Sequence, residues 1–321
     1  MRVLVTGATG MLGRAMVTRL AGDPRYTVRA AVRRSGSALP AGVDEVEIGD
    51  METRLDWTKA LESADVVIHV AARAHVMRDA TYSPLEEYRR ANTVTTINLA
   101  QQAAESGIQR FLFISSIKVN GEETAFGAPF TPDALAMPRD AYGVSKMEAE
   151  QGIRQIAQRT GMSCVIVRPP LVYGPGVKAN FKVMMDWLGK GIPLPLATVH
   201  NKRSLVALDN LVDMLVTCIE HPSAANQTFL VSDGEDLSTS ELLSRLSAAM
   251  GRPARLFSVP ESLLRFSAML LCRSSMAQRL CGSLQVDISK TCENLSWRPP
   301  IDVDEGLRRV VAGWRSAQRQ A

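Results

Sequence analysis

Residues 5–13 read VTGATGMLG, with glycines at Gly7, Gly10 and Gly13 directly behind a short, largely apolar run at 2–6. No other feature restricts the fold as tightly. A buried strand that enters a glycine turn and then a helix-periodic stretch (10–21) predicts a strand–turn–helix unit. In such a unit Gly7 permits the tight turn, Gly10 lets a pyrophosphate approach the backbone, and Gly13 lets the helix lie close to its strand. The helix N-terminus then offers free N–H groups and the positive end of its dipole to phosphate. A dinucleotide site is therefore expected at the start of the chain; a purely structural turn is the alternative.

The rest of the first half continues the same rhythm. Runs rich in Val, Ile, Leu and Phe recur at 27–32, 44–48, 66–71, 111–115 and 164–167, with helix-periodic segments at 54–63, 84–106 and 142–160 between them. Near-continuous hydrophobicity suits strands covered on both faces. The alternation predicts an α/β fold built on a doubly wound parallel sheet. After RPPLVYGPG (168–176) Pro and Gly become frequent and the rhythm breaks. We read 1–169 as a dinucleotide-binding domain and 170–321 as a smaller C-terminal α/β substrate domain. A helix at 209–220 and a strand at 228–232 are expected to rejoin the first sheet, and 317–321 to fray.

Bulk composition narrows the function classes. A net charge of +4, from 37 basic and 33 acidic residues, is too weak to argue for nucleic acid. The five cysteines are odd in number and contain no C-x-x-C pair, which fits reduced thiols and neither a disulfide framework nor a metal site. A strand and glycine turn stand where a leader would be, so a cytoplasmic protein is expected. LLRFSAMLLC (263–272) is apolar but broken by Arg265 and far short of the ~20 residues a membrane span needs. It reads either as a packed helix or as peripheral membrane contact.

The choice of dinucleotide turns on the end of the second strand. NAD sites commonly carry an acid there for the ribose 2′-hydroxyl, whereas TVRAAVRRS has Val32 followed by Arg33 and Arg34. Nothing repels a 2′-phosphate, and two guanidiniums are suited to bind one. NADP(H) is expected over NAD(H), with a solvated strand end as the bland alternative. Asp50, after the third strand, is placed to accept from the adenine amino group.

Among the five tyrosines only Tyr142 has a lysine four residues on, in YGVSK (142–146). Helical spacing puts Tyr142 and Lys146 side by side. A phenol with a pKa of about 10 needs help to move protons near neutrality, and an adjacent ammonium supplies it. Ser115 and Ser116 close the strand at 111–115, at the sheet edge where ligands gather.

Four motifs in order carry a resemblance: T-G-x-x-G-x-x-G, the serine pair, Y-x-x-x-K and RPPLVYGPG. Together they resemble the extended short-chain dehydrogenase/reductases, and most closely the nucleotide-sugar epimerases, dehydratases and reductases, over nearly the whole chain. The resemblance implies a Rossmann-type domain, Tyr142 as general acid/base, Lys146 on the nicotinamide ribose, and Ser116 on the reacting oxygen, with Ser115 the neighbouring candidate. It also puts Met11, Leu12, Met51, Ala71, Ala72, Asn92, Ser115 and Pro169 along the cofactor. Asn92 sits in RRANTVTT, where Thr95 replaces the family's glycine, so that helix is expected to sit differently. On the substrate side it implies Asn180 and Arg203 at a nucleotide diphosphate, Asp209 near the ribose, and Lys118 and His75 near the sugar, His75 being equally readable as structural. Two departures stand out: Leu171 where epimerases carry asparagine, and Ser204 after Arg203 where an acid is usual.

Three functions follow. The wording AARAHVMRD, SSIKVNGE and NKRSLVALDNLVD is most similar to bacterial UDP-4-keto-6-deoxy-HexNAc reductases of surface-polysaccharide (O-antigen) synthesis, which makes an NADPH-dependent C4 reductase the first expectation. A UDP-hexose 4-epimerase with tightly held NAD is the second, and a non-catalytic dinucleotide-binding protein the third. A homodimer through 84–106 and 142–160 is expected by the same resemblance.

Overall fold

The computed structural model describes residues 1–50, 55–74, 83–270 and 274–320. Met51 and His75 lie outside them. Among the described residues, seven strands form one parallel sheet in the order β3-β2-β1-β4-β5-β6-β9. The first four strands in the chain are β1 (Arg2–Thr6), β2 (Thr27–Val32), β3 (Asp44–Glu47) and β4 (Val66–His69). They are followed by β5 (Arg110–Ile114), β6 (Ser163–Arg168) and β9 (Gln227–Leu230). The order reverses between β1 and β4, which opens a crevice at their carboxyl ends, the ligand position of doubly wound sheets.

Alternation in the strands splits the core into two layers. Val3 and Val5 face α1 (Met11–Ala21) and α7 (Leu208–Glu220), together with Met16, Leu20, Leu211 and Leu215. Leu4 faces the other way, towards α4 (Thr95–Glu105) and α5 (Ala141–Thr160), with Leu99, Ile153 and Phe111. Thus α7 and β9 belong physically to the first sheet although they lie late in the chain. A second lobe has its own core around Tyr173, Phe181, Leu243 and Leu307. It contains a three-stranded sheet of β10 (Asp236–Leu237), β8 (Arg203–Ala207) and β7 (Leu171–Tyr173). Its helices are α6 (Ala179–Gly189), α8 (Thr239–Ala249), α9 (Glu261–Leu270), α10 (Ser274–Cys281) and α12 (Val303–Gln320).

The expected helix at 84–106 is three segments: a short α3 (Pro84–Tyr88), a π-helical stretch Arg89–Val94, and α4. At the junction the Thr95 hydroxyl donates to the carbonyl of Arg90 (3.1 Å). Within the π-helical stretch Asn92 and Thr93 are both buried. The expected helix at 54–63 is cut down to α2 (Thr58–Leu61); Ser63 ends that turn in the left-handed region (φ 56°). By contrast α5 has clear signals at both ends. Asp140 accepts from the Gly143 amide (2.7 Å), and Gly161 closes the helix at φ 78°.

Candidate functional site

The glycine turn is built for close approach at two positions and for openness at the third. A Cβ on Gly7 would sit 2.8 Å from the Ala71 nitrogen, and one on Gly13 only 2.1 Å from the Gly7 carbonyl oxygen. Gly10 would meet nothing but the Gly7 oxygen, at 3.3 Å. Gly7 and Gly13 therefore let the turn, β4 and α1 touch, while Gly10 leaves the N-terminal turn of α1 open. That turn is flanked by half-buried Met11 and Leu12. This cradle fits a pyrophosphate. Ala71 and Ala72 follow β4 directly across the crevice, and buried Pro169 follows β6, its carbonyl accepting from the Ile117 amide (3.0 Å).

At the end of β2, Arg33 and Arg34 are both exposed. The loop behind them is tied down by acids of β3: Glu47 accepts from the amide and hydroxyl of Ser35 (3.0 and 2.9 Å), and Glu45 from the amides of Gly36 and Ser37 (3.0 and 3.2 Å). Those bonds hold the Glu47 carboxyl below its ordinary range. Both nearby carboxylates are thus directed at backbone amides, and Asp50 is exposed further along.

Tyr142 and Lys146 lie on the face of α5 that looks at the end of β5. The Ser116 side chain lies near the Tyr142 phenol, and the Tyr88 ring meets the Tyr142 ring edge-on at 6.0 Å. Burial, with Asp140 and Tyr88 nearby, pushes the phenol up, and Ser116 opposes this. Burial draws Lys146 down to about 7 against the pull of Glu150. Its ammonium sits 4.0 Å over the Phe113 ring.

Asn92 and Ser115 hold protein groups in place. Asn92 accepts from the Arg73 amide (2.8 Å) and donates to the Arg73 carbonyl and the Ser145 hydroxyl (3.1 Å each). It therefore staples the chain after β4 to the helix that carries Tyr142 and Lys146. The Ser115 hydroxyl donates to Glu150 (2.5 Å), which leaves Ser116 as the serine facing Tyr142. Lys118 is engaged by Asp140 and Glu122, so its charge is matched within the protein.

In the second lobe, Arg203 is partly buried and donates to the Gly282 carbonyl (2.9 Å). Burial and the neighbouring Arg279 hold its pKa below the ordinary value, with Glu123 opposing. The charge of Arg279 is near enough to act on Arg203, and two neighbouring guanidiniums favour an anion. Asp209 does not join them. Arg203 opens β8 and Asp209 lies beyond its far end, a separation of roughly 15 Å at strand rise. The Asp209 carboxylate pairs instead with Arg309 of α12 (3.3 Å). Asn180 stands at the start of α6, and its side chain lies outside the description. Leu171 is 43% exposed.

Three groups escaped the sequence reading. His69 is fully enclosed between the Thr6 hydroxyl (2.7 Å) and the Thr96 hydroxyl (2.9 Å), and burial, with Lys146 near, lowers it to about 3. Glu150 continues the four-residue spacing of Tyr142 and Lys146, which was a usable signal. Arg279 gave none, being distant in sequence from Arg203. Among the described residues no cluster of His, Cys, Asp and Glu could hold a metal, and the four described cysteines are free thiols.

This crevice and its tyrosine–lysine pair define a dinucleotide-dependent oxidoreductase fold. The family model described as NAD dependent epimerase/dehydratase matches residues 3–232. The chain belongs to that family, the nucleotide-sugar epimerases and reductases of the extended short-chain dehydrogenase/reductase type. It is 46% identical over 319 residues to a UDP-glucose 4-epimerase of Vibrio cholerae, covering 99% of this chain and 97% of that one. A UDP-glucose 4-epimerase of Azospirillum brasilense is 33% identical over 346 residues, 100% and 93% of the two chains. The structure of a Bacillus cereus UDP-glucuronic acid 4-epimerase in complex with NAD superposes with a TM-score of 0.79 over 99% of both chains. At 21% identity that likeness speaks for the fold alone.

Proposed function

We propose that the protein transiently oxidises C4 of a UDP-hexose and then reduces it again, so that its net reaction is 4-epimerisation. The observation that carries this reading is the 46% identity to a UDP-glucose 4-epimerase across nearly the full length of both chains, joined to the Ser116–Tyr142–Lys146 group. The sequence alone ranked a C4 reductase first; the relatives reverse that order.

The glycine cradle holds the cofactor pyrophosphate, and Lys146 holds the nicotinamide ribose. When bound, the nicotinamide exchanges hydride with the sugar C4. Tyr142 moves the matching proton at the C4 oxygen, and Ser116 orients that oxygen through its hydroxyl. A phenol pushed upward is a stable proton donor for the reductive half of the reaction. For the oxidative half, the positive charges of Lys146 and an oxidised nicotinamide favour phenolate. Arg203 and Arg279 clamp the diphosphate, supplying remote binding that holds C4 in place.

A specific observation favours NADPH-dependent reduction of a UDP-4-keto-6-deoxy-N-acetylhexosamine as the second reading. Arg33 and Arg34 stand exposed where a 2′-phosphate would lie, and Val32 offers no acid. A net reduction draws on NADPH, whereas an epimerase recycles its cofactor. Release of the cofactor from purified protein separates the two. Stoichiometric NAD with no NADPH oxidation by a UDP-4-keto sugar supports the epimerase; cofactor-free protein that oxidises NADPH with that sugar supports the reductase. A homodimer through the helical region 84–106 and α5 is part of the proposal, supported by exposed Val94 and half-buried Val144 and Met147. Light scattering should give twice 35.0 kDa.

A further inference from the structure

The helix α9 is apolar on two sides. Leu264 packs into the core of the second lobe, while Leu263, Phe266, Met269 and Leu270 are 54%, 52%, 60% and 67% exposed. Their spacing puts all four on one outward stripe. Phe257, in the segment leading into the helix, is 48% exposed as well. Burying one helix face needs no second apolar face, so the outward stripe calls for a separate occupant.

Charge identifies the occupant. Residues 251–281 contain five of the 37 basic residues, Arg252, Arg255, Arg265, Arg273 and Arg279, and one of the 33 acidic ones, Glu261. The chain's whole net charge of +4 therefore falls in this segment, and the remainder is balanced. Arg252 and Arg255 are exposed beside the entry to α9. An exposed Leu/Phe/Met stripe set in a basic segment has the chemistry of a helix lying in the headgroup layer of an anionic bilayer. A second copy of the chain fits less well. A ten-residue helix is about 15 Å long and its face about 10 Å wide, a footprint of roughly 150 Å² where a stable interface needs about 800 Å² per partner. Two basic surfaces would also repel. No helix among the described residues is long and apolar enough to cross a membrane, so contact is with the surface.

We propose that α9 and the basic segment around it dock this protein on an anionic membrane surface. The stripe belongs to the same lobe as Arg203 and Arg279.

Co-sedimentation of the full chain with vesicles tests this. Vesicles of phosphatidylethanolamine with one quarter phosphatidylglycerol should pellet the protein at low salt, and pure phosphatidylcholine vesicles or high salt should not. Phe266→Glu with Leu270→Glu should abolish pelleting while NAD(H) binding remains, which shows the fold intact. Arg252→Glu with Arg255→Glu, outside the helix, should weaken binding by roughly fivefold or more per arginine. The proposal is overturned if the anionic vesicles pellet nothing at low salt, or if pelleting survives both double variants. It is equally overturned if light scattering shows a dimer that Phe266→Glu with Leu270→Glu dissociates, because the stripe is then an interface between copies.

Discussion

Glu150 meets Arg168 in a two-pronged, buried ion pair, Oε1 to Nε at 2.9 Å and Oε2 to Nη2 at 2.6 Å. Arg168 also donates to Asn120 (3.0 Å), and Glu150 accepts from Ser115. One carboxylate thus joins the helix that carries Tyr142 and Lys146 to the ends of β5 and β6. The Tyr142–Lys146 pair is held from beneath by a residue one turn further along the same face.

Removing half of that pair leaves the other charge buried. Glu150→Gln should lower stability by about 3–5 kcal/mol, read as a drop in midpoint on denaturant titration. Glu150→Gln with Arg168→Met should recover much of the loss, since a buried pair replaced together costs far less than one broken. A single variant as stable as wild type would show that the pair holds nothing.

Lys146 introduces a pH dependence whose sign is fixed. Its folded value, about 7, lies below the ordinary 10.5, so the unfolded chain binds the extra proton between those values. Charged Lys146 therefore burdens the fold below pH 7, and the burden fades as pH rises from 7 towards 10.5. Lys146→Met should be more stable than wild type at pH 6, with the gap closing at alkaline pH. His69 acts at the other end. Held at about 3 against an ordinary 6.5, its stabilising contribution is present above pH 6.5 and lost as pH falls towards 3. The imidazole NMR signals of His69 should stay those of the neutral ring at pH 5.

Cofactor choice should respond to charge after β2. Arg33→Ala should weaken NADPH binding by roughly ten- to a hundredfold, the scale of a charge-assisted hydrogen bond of ~1.5–3 kcal/mol, and leave NADH almost unchanged. Equal loss for both cofactors in fluorescence titrations removes the 2′-phosphate site.

Arg203, with Arg279 nearby, should bind UDP without any sugar. Calorimetry should show Arg203→Ala and Arg279→Ala each losing about 2 kcal/mol of UDP affinity, with NAD(H) affinity retained. Asp209→Ala should leave UDP affinity intact, because that carboxylate is engaged by Arg309 at the far end of β8.

What the sequence made legible follows from local physics. Gly7, Gly10 and Gly13 fix a turn that only glycine can form against Ala71 and the Gly7 carbonyl, so the first unit could be read directly. Strand periodicity gave the parallel sheet, because a strand buried on both faces cannot hide its composition. What local patterns do not register is contact between distant residues. Asn92 ties Arg73 to Ser145, and Asp209, close to Arg203 in sequence, is separated from it by a strand. The π-helical stretch at Arg89–Val94 widens one turn of an otherwise helical segment, which periodicity does not register. Arg279 acts on the charge of Arg203 from far along the chain, and no spacing rule announces that.

The central claim is that Tyr142 moves a proton at C4 of a UDP-hexose, and proton NMR of the sugar tests it most directly. Wild-type protein incubated with UDP-glucose, without added cofactor, should develop the anomeric signal of UDP-galactose until the two reach equilibrium. Tyr142→Phe should slow this by ~10²–10⁴-fold, the contribution of a general acid, with bound NAD retained. Interconversion within about threefold of wild type in Tyr142→Phe would contradict the role of the phenol. No change at C4 of any UDP-hexose or UDP-4-keto sugar, with NAD(H) or NADP(H) supplied, would contradict the claim itself.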